Sequence, residues 1–288
     1  MPELPEVETI ARQLRPELVG RVLGKASVRW ERSLGGLAPR ELERAVRGAL
    51  VRSVDRRGKF LVIGLERSGE RNGALLVHLR MSGRLLVQPR GHAVDPYLRV
   101  RIGLDDGRWL DFVDVRKFGR FRFARDPEDV LGELGPEPLE RGFSARALHR
   151  ALLERRRLLK PLLLDQTFVA GLGNIYVDES LHRSGLHPLA RSDRCDAASA
   201  ARLHAAIRSV LREAIAREGS SFDAFYRTPQ GQPGSYQHLF RVYARAGQPC
   251  TTCGTPIRRM VVGQRGTHFC PSCQPRPRAR RRLQEEEE

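Results

Sequence analysis

Residues 98–112, LRVRIGLDDGRWLDF, decide how the first half of the chain is read. Leu98, Val100, Ile102 and Leu104 alternate with Arg99, Arg101 and Gly103, the two-residue period of a strand with one face in a core and the other in water. Asp106-Gly107 supplies a tight turn that folds such a strand back on itself. Upstream, VRSVDRRGKFLVIGLE (51–66) and ALLVHLRMSGRLLVQP (74–89) are further β-rich runs broken by glycines. Several short strands joined in this way predict a sandwich or barrel. One helix precedes them. Pro5 suits a first turn, and Glu6 and Glu8 lie near the positive end of the helix dipole. Val7, Ile10, Ala11 and Leu14 keep helical spacing, and Gly20 is the stop. Pro2 and Glu3 lie outside this helix, and local structure gives no reason for them.

Downstream the pattern changes. ARDPEDVLGELGPEPLERG (124–142) is charged and rich in Pro and Gly, and reads as a linker. Beyond it Ser144 caps a helix in SARALHRALLERRR. A longer helix runs through residues 197–219, with Leu203, Ile207, Val210, Leu211 and Ala214 on one face. Between them, FVAGLGNIYVDESLHRSGLHP (168–188) places a short helix between two glycine turns. Residues 220–237, SSFDAFYRTPQGQPGSYQ, read as a mobile polar loop, and the tail RPRARRRLQEEEE as disordered. The expected divisions are 1–130 for a β-sandwich, 131–143 for the linker, 144–235 for a helical domain, 236–275 for a cysteine-bearing ribbon and 276–288 for the tail.

At 288 residues the chain is long enough for two cores. No apolar run reaches the length of a membrane span and no apolar signal segment opens the chain, so a soluble, cytoplasmic protein is expected. Lysine and arginine number 51 against 34 aspartates and glutamates, a net charge of +17. That excess points to a polyanion, nucleic acid first, although arginine-rich coding also produces it.

Four of the five cysteines form two CxxC pairs, Cys250/Cys253 and Cys270/Cys273, separated by sixteen residues. This is the spacing of a four-thiolate zinc ribbon, in which each knuckle supplies two ligands of a tetrahedron. Four protein ligands leave no open position, so one structural zinc ion is expected. A redox CxxC or free thiols are the competing readings. Cys195 stands alone as a reduced bystander. Between the knuckles, RRMVVGQRGTHFC sets Gln264, Arg265 and Gly266 at the tip of a hairpin.

Six stretches then occur together and in order: MPELPEVE at 1–8, RRGKF at 56–60, HLRMSG at 78–83, DVRKFG at 114–119, GLGNIYVDE at 171–179 and QRGTHFCPSCQ at 264–274. With them almost the whole chain resembles the bacterial formamidopyrimidine-DNA glycosylases, of the formamidopyrimidine-DNA glycosylase / endonuclease VIII family. The resemblance implies an α+β protein: an N-terminal β-sandwich bearing the first helix, a helical domain with a helix–two-turn–helix element, and a zinc ribbon. It implies loss of the initiator methionine, leaving Pro2 as an N-terminal nucleophile. An α-amino group titrates near ~8 against ~10.4 for lysine, so more of it is unprotonated at neutral pH.

By the same resemblance Glu3 is the acid/base, Glu6 supports it, Lys59 contacts phosphate and assists elimination, and Arg265 serves the δ step. Met81, Arg116 and Phe118 match the set that fills the gap left by a flipped base. His78, Asn174, Lys160 and Arg265 are expected phosphate contacts. Tyr97 stands where many relatives have a histidine, which puts that one contact in doubt. The implied enzyme is a DNA glycosylase/AP lyase removing 8-oxoguanine and formamidopyrimidines from double-stranded DNA, working as a monomer in the cytoplasm. The alternatives are an endonuclease VIII-like enzyme for oxidised pyrimidines, against which Leu4, Arg116 and Phe118 argue, and a zinc-containing DNA-binding protein without catalysis.

Overall fold

The computed structural model describes residues 1–222 and 226–276; residues 223–225 of the 220–237 loop and residues 277–288 of the tail lie outside the described residues. The chain forms two compact units. Of the described residues, one comprises those of Met1–Gly142, Asp165–Gly173 and Arg208–Leu239; the other comprises those of Phe143–Leu164, Asn174–Ile207 and 240–276.

The first unit opens with helix α1 (Leu4–Leu18), whose buried stripe is Val7, Ile10, Ala11, Leu14 and Leu18. Then follow β1 (Leu23–Val28), α2 (Pro39–Val46), β2 (Leu50–Arg57), β3 (Phe60–Arg67), β4 (Glu70–His78), β5 (Gly83–Gln88), β6 (Leu98–Leu104), β7 (Trp109–Asp114), β8 (Arg120–Ala124) and α3 (Glu128–Leu131). The strands form two four-stranded antiparallel sheets, ordered β1-β6-β7-β5 and β2-β3-β4-β8. Side chains from both sheets share one core with α1, including Val54, Leu61, Ile63, Leu75, Leu85, Val100, Ile102 and Phe112. This is the expected sandwich.

Four features depart from the sequence reading. Helix α2 was not anticipated, because only Leu42 and Val46 of its eight residues are buried and two positions make no visible period. Arg99, expected on the wet face of β6, is buried and donates from Nε to the Asp114 carbonyl at 2.8 Å. The stretch read as a linker is packed: α3 and Leu134 lie with Ala74, Leu76, Phe60 and Val62 in a second small core on the outer face of β3 and β4. Tyr226, in the loop expected to be mobile, is buried in the main core and donates from its hydroxyl to the Glu218 carbonyl at 2.9 Å.

The second unit contains α4 (Ala145–Leu153), α5 (Leu159–Leu164), α6 (Asn174–Ser184) and the first part of α7 (Ala197–Ala216), followed by the hairpin of β9 (Arg258–Val262) and β10 (Arg265–Phe269). Ser144 caps α4, its Oγ accepting from the Ala147 N–H at 3.2 Å. Leu203, Ile207, Val210, Leu211 and Ala214 of α7 are all buried, as their spacing requires. Among the described residues no helix is long and apolar enough to cross a membrane.

Candidate active site and nucleic-acid interface

The start of the chain is enclosed. Pro2, Glu3 and Glu6 are buried, while Met1 is exposed. Glu6 links two segments of its unit: Oε2 accepts from the Glu3 N–H and Oε1 from the Ser220 N–H, both at 2.8 Å. The Leu4 N–H donates to the Gly171 carbonyl at 3.0 Å. Glycine is required beside both acids. A Cβ on Gly173 would overlap the Glu3 carboxylate, and one on Gly219, at φ +79, would lie 2.7 Å from Glu6 Oε1. The glycine turn of GLGN is therefore the seat of the Glu3 carboxylate.

Lys59 is buried in the turn between β2 and β3, after Gly58 at φ +57. That turn is held by Glu137, which the sequence reading missed. Arg56 donates to both Glu137 oxygens (2.9 and 2.8 Å), and the Gly58 N–H donates to Oε1 at 2.5 Å. A carboxylate that answers two arginines and a backbone N–H explains why a Pro-Gly stretch packs down here. His78 lies opposite Phe60, ring edge to face at 4.8 Å, and its Nδ1 accepts from the Arg80 N–H at 3.1 Å. Burial first, then the nearby cations Arg80, Lys59 and Arg120, push its pKa down to about 3. His78 is thus a buried neutral ring, not a charged surface contact.

Met81 and Phe118 stand out, 39% and 50% exposed, on the β4–β5 and β7–β8 loops. Arg116 is exposed beside Phe118, its guanidinium 5.0 Å from the ring centroid. Strands β5 and β7 pair with Gly83 opposite Asp114, so both loops leave neighbouring strands at one level. Tyr97 is exposed just before β6, its N–H held by Asp95 Oδ1 at 2.7 Å.

In the second unit Asn174 begins α6 and donates from Nδ2 to the Gly266 carbonyl at 3.0 Å. Arg265 is exposed as the first residue of β10, the turn itself being Gly263–Gln264. Lys160 is fully buried, its Nζ 2.6 Å from Asp178 Oδ1 and 3.0 Å from the Gly266 carbonyl, so it does not present the surface ammonium that a phosphate contact needs. Asp178 Oδ2 also accepts from the His268 N–H at 2.9 Å. Neighbouring Glu179, buried as well, accepts backbone N–H groups of Arg241, Val242 and Tyr243 at 2.9–3.1 Å. Desolvation pushes its pKa up although these donors favour the anion. Both acids sit inside GLGNIYVDE, but only the fold reveals what they hold.

The four cysteine sulfurs lie within 4.8 Å of one another. Cys250 and Cys273 are 3.9 Å apart, and Cys253 and Cys270 are 3.4 Å apart. Thiolates about 2.3 Å from a tetrahedral zinc would be about 3.8 Å apart, so the cluster fits one zinc ion with all four positions filled by protein. The N–H groups of Thr252 and Cys273 point at Cys250 and Cys270, the hydrogen bonds expected of thiolate knuckles. Cys195 is buried and its thiol pKa is raised to about 11, leaving it inert.

Comparison with known proteins matches three family models along the chain: the formamidopyrimidine-DNA glycosylase N-terminal domain over residues 1–121, its H2TH domain over 134–225, and a zinc finger found in FPG and IleRS over 247–276. The formamidopyrimidine-DNA glycosylase of Chloroflexus aggregans is 45% identical over 281 residues, covering 95% of this chain and 98% of that protein. The Geobacillus kaustophilus enzyme is 43% identical over 95% of this chain and 100% of its own. The crystal structure of the MutM (Fpg) protein of Thermus thermophilus superposes with a TM-score of 0.84 at 41% identity, covering 95% and 98% of the two chains. A Lactococcus lactis Fpg in complex with DNA containing Fapy-dG superposes at 0.87 with 32% identity, covering 96% and 100%. Three family models in order and relatives above 40% identity over nearly the full length leave one assignment: the chain belongs to the formamidopyrimidine-DNA glycosylase family.

Proposed function

We propose that this chain excises oxidised purines, 8-oxoguanine and formamidopyrimidines, from duplex DNA and then cleaves the strand by β,δ-elimination. The observation that carries the reading is the burial of Pro2, Glu3 and Glu6 around the start of α1. A capping box accounts for one bond of each acid, but at an ordinary helix entry such acids stay in water, and full burial of both is costly. The solved relatives were captured with DNA containing Fapy-dG, carbocyclic 8-oxo-G or an abasic site, which supports the substrate class.

Once Met1 is removed, the Pro2 secondary amine attacks C1′ and the damaged base departs with the glycosidic bond electrons. Glu3 donates a proton to the ring oxygen as the sugar opens, and the amine, having lost its own proton, becomes the nitrogen of an iminium. That cation acidifies C2′. Loss of a C2′ proton expels the 3′-phosphate, and a second elimination expels the 5′-phosphate. Glu6 holds Glu3 in place through the Glu3 N–H. Lys59 assists elimination at a phosphate, Arg265 serves the δ step, and Asn174, Tyr97 and neutral His78 act as phosphate partners that add no charge. Met81, Arg116 and Phe118 enter the duplex behind the flipped base, Arg116 facing the orphaned cytosine. The zinc ion holds the ribbon together, and we place the protein's work as a monomer on DNA in the cytoplasm.

Borohydride reduction during turnover tests this. A covalent adduct on an 8-oxoguanine:C duplex, absent for Pro2→Gly, is expected. Trapping mainly on an oxidised-pyrimidine duplex would transfer the chain to endonuclease VIII-like substrates. No adduct on either, with Met1 shown by intact mass to be gone, would overturn the catalytic reading.

A further inference from the structure

The two loops that carry Met81 and Arg116–Phe118 meet at a single buried carboxylate. Asp114, the last residue of β7, is 1% exposed, and each of its polar atoms is engaged. Its N–H donates to the Tyr97 carbonyl at 3.0 Å, and its carbonyl accepts from Arg99 Nε at 2.8 Å. Oδ1 accepts from the Ser82 hydroxyl at 2.6 Å and from the Arg116 N–H at 3.2 Å, and Oδ2 accepts from the Gly119 N–H at 2.7 Å. Ser82 Oγ also accepts from the Arg116 N–H, at 3.1 Å. Gly119 has no room for a side chain: a Cβ would lie 2.5 Å from Phe112 Cζ and 3.1 Å from Asp114 Oδ2.

The exposed tips have little packing of their own to fix them, so their relative position is set by the bonds beneath. Ser82 follows Met81 directly, and Arg116 N–H is shared between Ser82 and Asp114. Moving one loop therefore breaks hydrogen bonds of the other. We propose that Asp114 and Ser82 are positioning residues that weld the two loops into one rigid wedge, so that Met81 and Arg116/Phe118 enter the duplex together. A wedge ordered in advance loses less conformational freedom on insertion than two independent loops. The inference rests on the reading of Met81, Arg116 and Phe118 as the groups that enter DNA.

Asp114→Asn replaces one acceptor oxygen by a donor. Whichever way the amide turns, the N–H of Arg116 or of Gly119 faces another donor. Ser82→Ala is the milder variant: it cuts the link to the Met81 loop and leaves the Asp114–Gly119 bond in place. Three readouts are needed on the full-length protein: single-turnover excision of 8-oxoguanine opposite C, fluorescence of 2-aminopurine beside the lesion, and elimination at a single-stranded abasic site, where no stacked partner must be displaced. Met81→Ala and Phe118→Ala run alongside.

Both positioning variants are expected to slow duplex excision and the fluorescence rise about tenfold, while single-strand elimination changes less than about twofold. Wild-type duplex rates in Ser82→Ala, with Met81→Ala and Phe118→Ala slow, would overturn the coupling and leave the wedge reading standing. Equal losses by Ser82→Ala on both substrates would reduce it to general damage. Normal duplex excision in Met81→Ala and Phe118→Ala would overturn the wedge reading and the inference with it. If Asp114→Asn fails to fold, Ser82→Ala alone decides.

Discussion

At Gly173 an absent side chain shapes the site. The Glu3 carboxylate occupies the space that a Cβ would take, and Gly219 makes the same allowance for Glu6. Gly173→Ala must push the Glu3 carboxylate away from its seat, an overpacking that costs about 1–3 kcal/mol of stability. Displacing an acid/base by an ångström costs more in rate than in folding, about a hundredfold. Borohydride trapping at matched protein concentration, read beside a thermal melt, checks both numbers. A lowered melting temperature in a protein still folded at the assay temperature, with a large loss of adduct, is the expected pattern. Equal adduct yield would separate Glu3 from the chemistry.

Among the elements, the β9–β10 hairpin is bracketed by the four cysteines, Cys250 and Cys253 before it and Cys270 and Cys273 after it. The ribbon cluster consists of Val242, Cys250, Ile257 and Cys270, with Cys273 packed against it. Its centre is built from the metal-binding cysteines themselves, so metal binding and folding of the ribbon are coupled. Removing zinc is expected to unfold the ribbon, release Arg265 and abolish duplex binding, with restoration on returning zinc. Filter binding before and after exhaustive chelation checks this, and unchanged binding would show the ribbon to be dispensable. The elements also show where sequence reading works. Strand β6, the Ser144 cap, the apolar face of α7 and the cysteine ribbon were legible because each is a local pattern with a local cause. Helix α2 was illegible because two buried residues carry no period. Residues 131–143 were misread because their apolar partners, Phe60, Val62, Ala74 and Leu76, lie far away in sequence. Lys160 was misread because its counter-ion, Asp178, becomes its neighbour only when α5 meets α6.

For the molecule as a whole, His78 sets a dependence of stability on pH. Its folded pKa, about 3, lies below the ordinary value of 6.5, so between these limits the unfolded chain binds more protons than the native one. Stability is then full above about pH 6.5 and declines as pH falls toward 3, by at most ~1.4 kcal/mol per pH unit for this one group. Urea unfolding at about pH 7 and pH 5 should show this slope in the wild type and a shallower one in His78→Gln. Identical slopes would assign the acid sensitivity to other groups. The first unit is also discontinuous in the chain, drawing on Asp165–Gly173 and Arg208–Leu239 as well as the opening 142 residues. On the ribosome, Glu3 and Glu6 therefore emerge long before Gly173 and Ser220 exist to seat them. At roughly 5–20 residues per second that interval is roughly 10–45 seconds. The residues made first are finished last, and the seats of the two acids close only when the end of the first unit has been made.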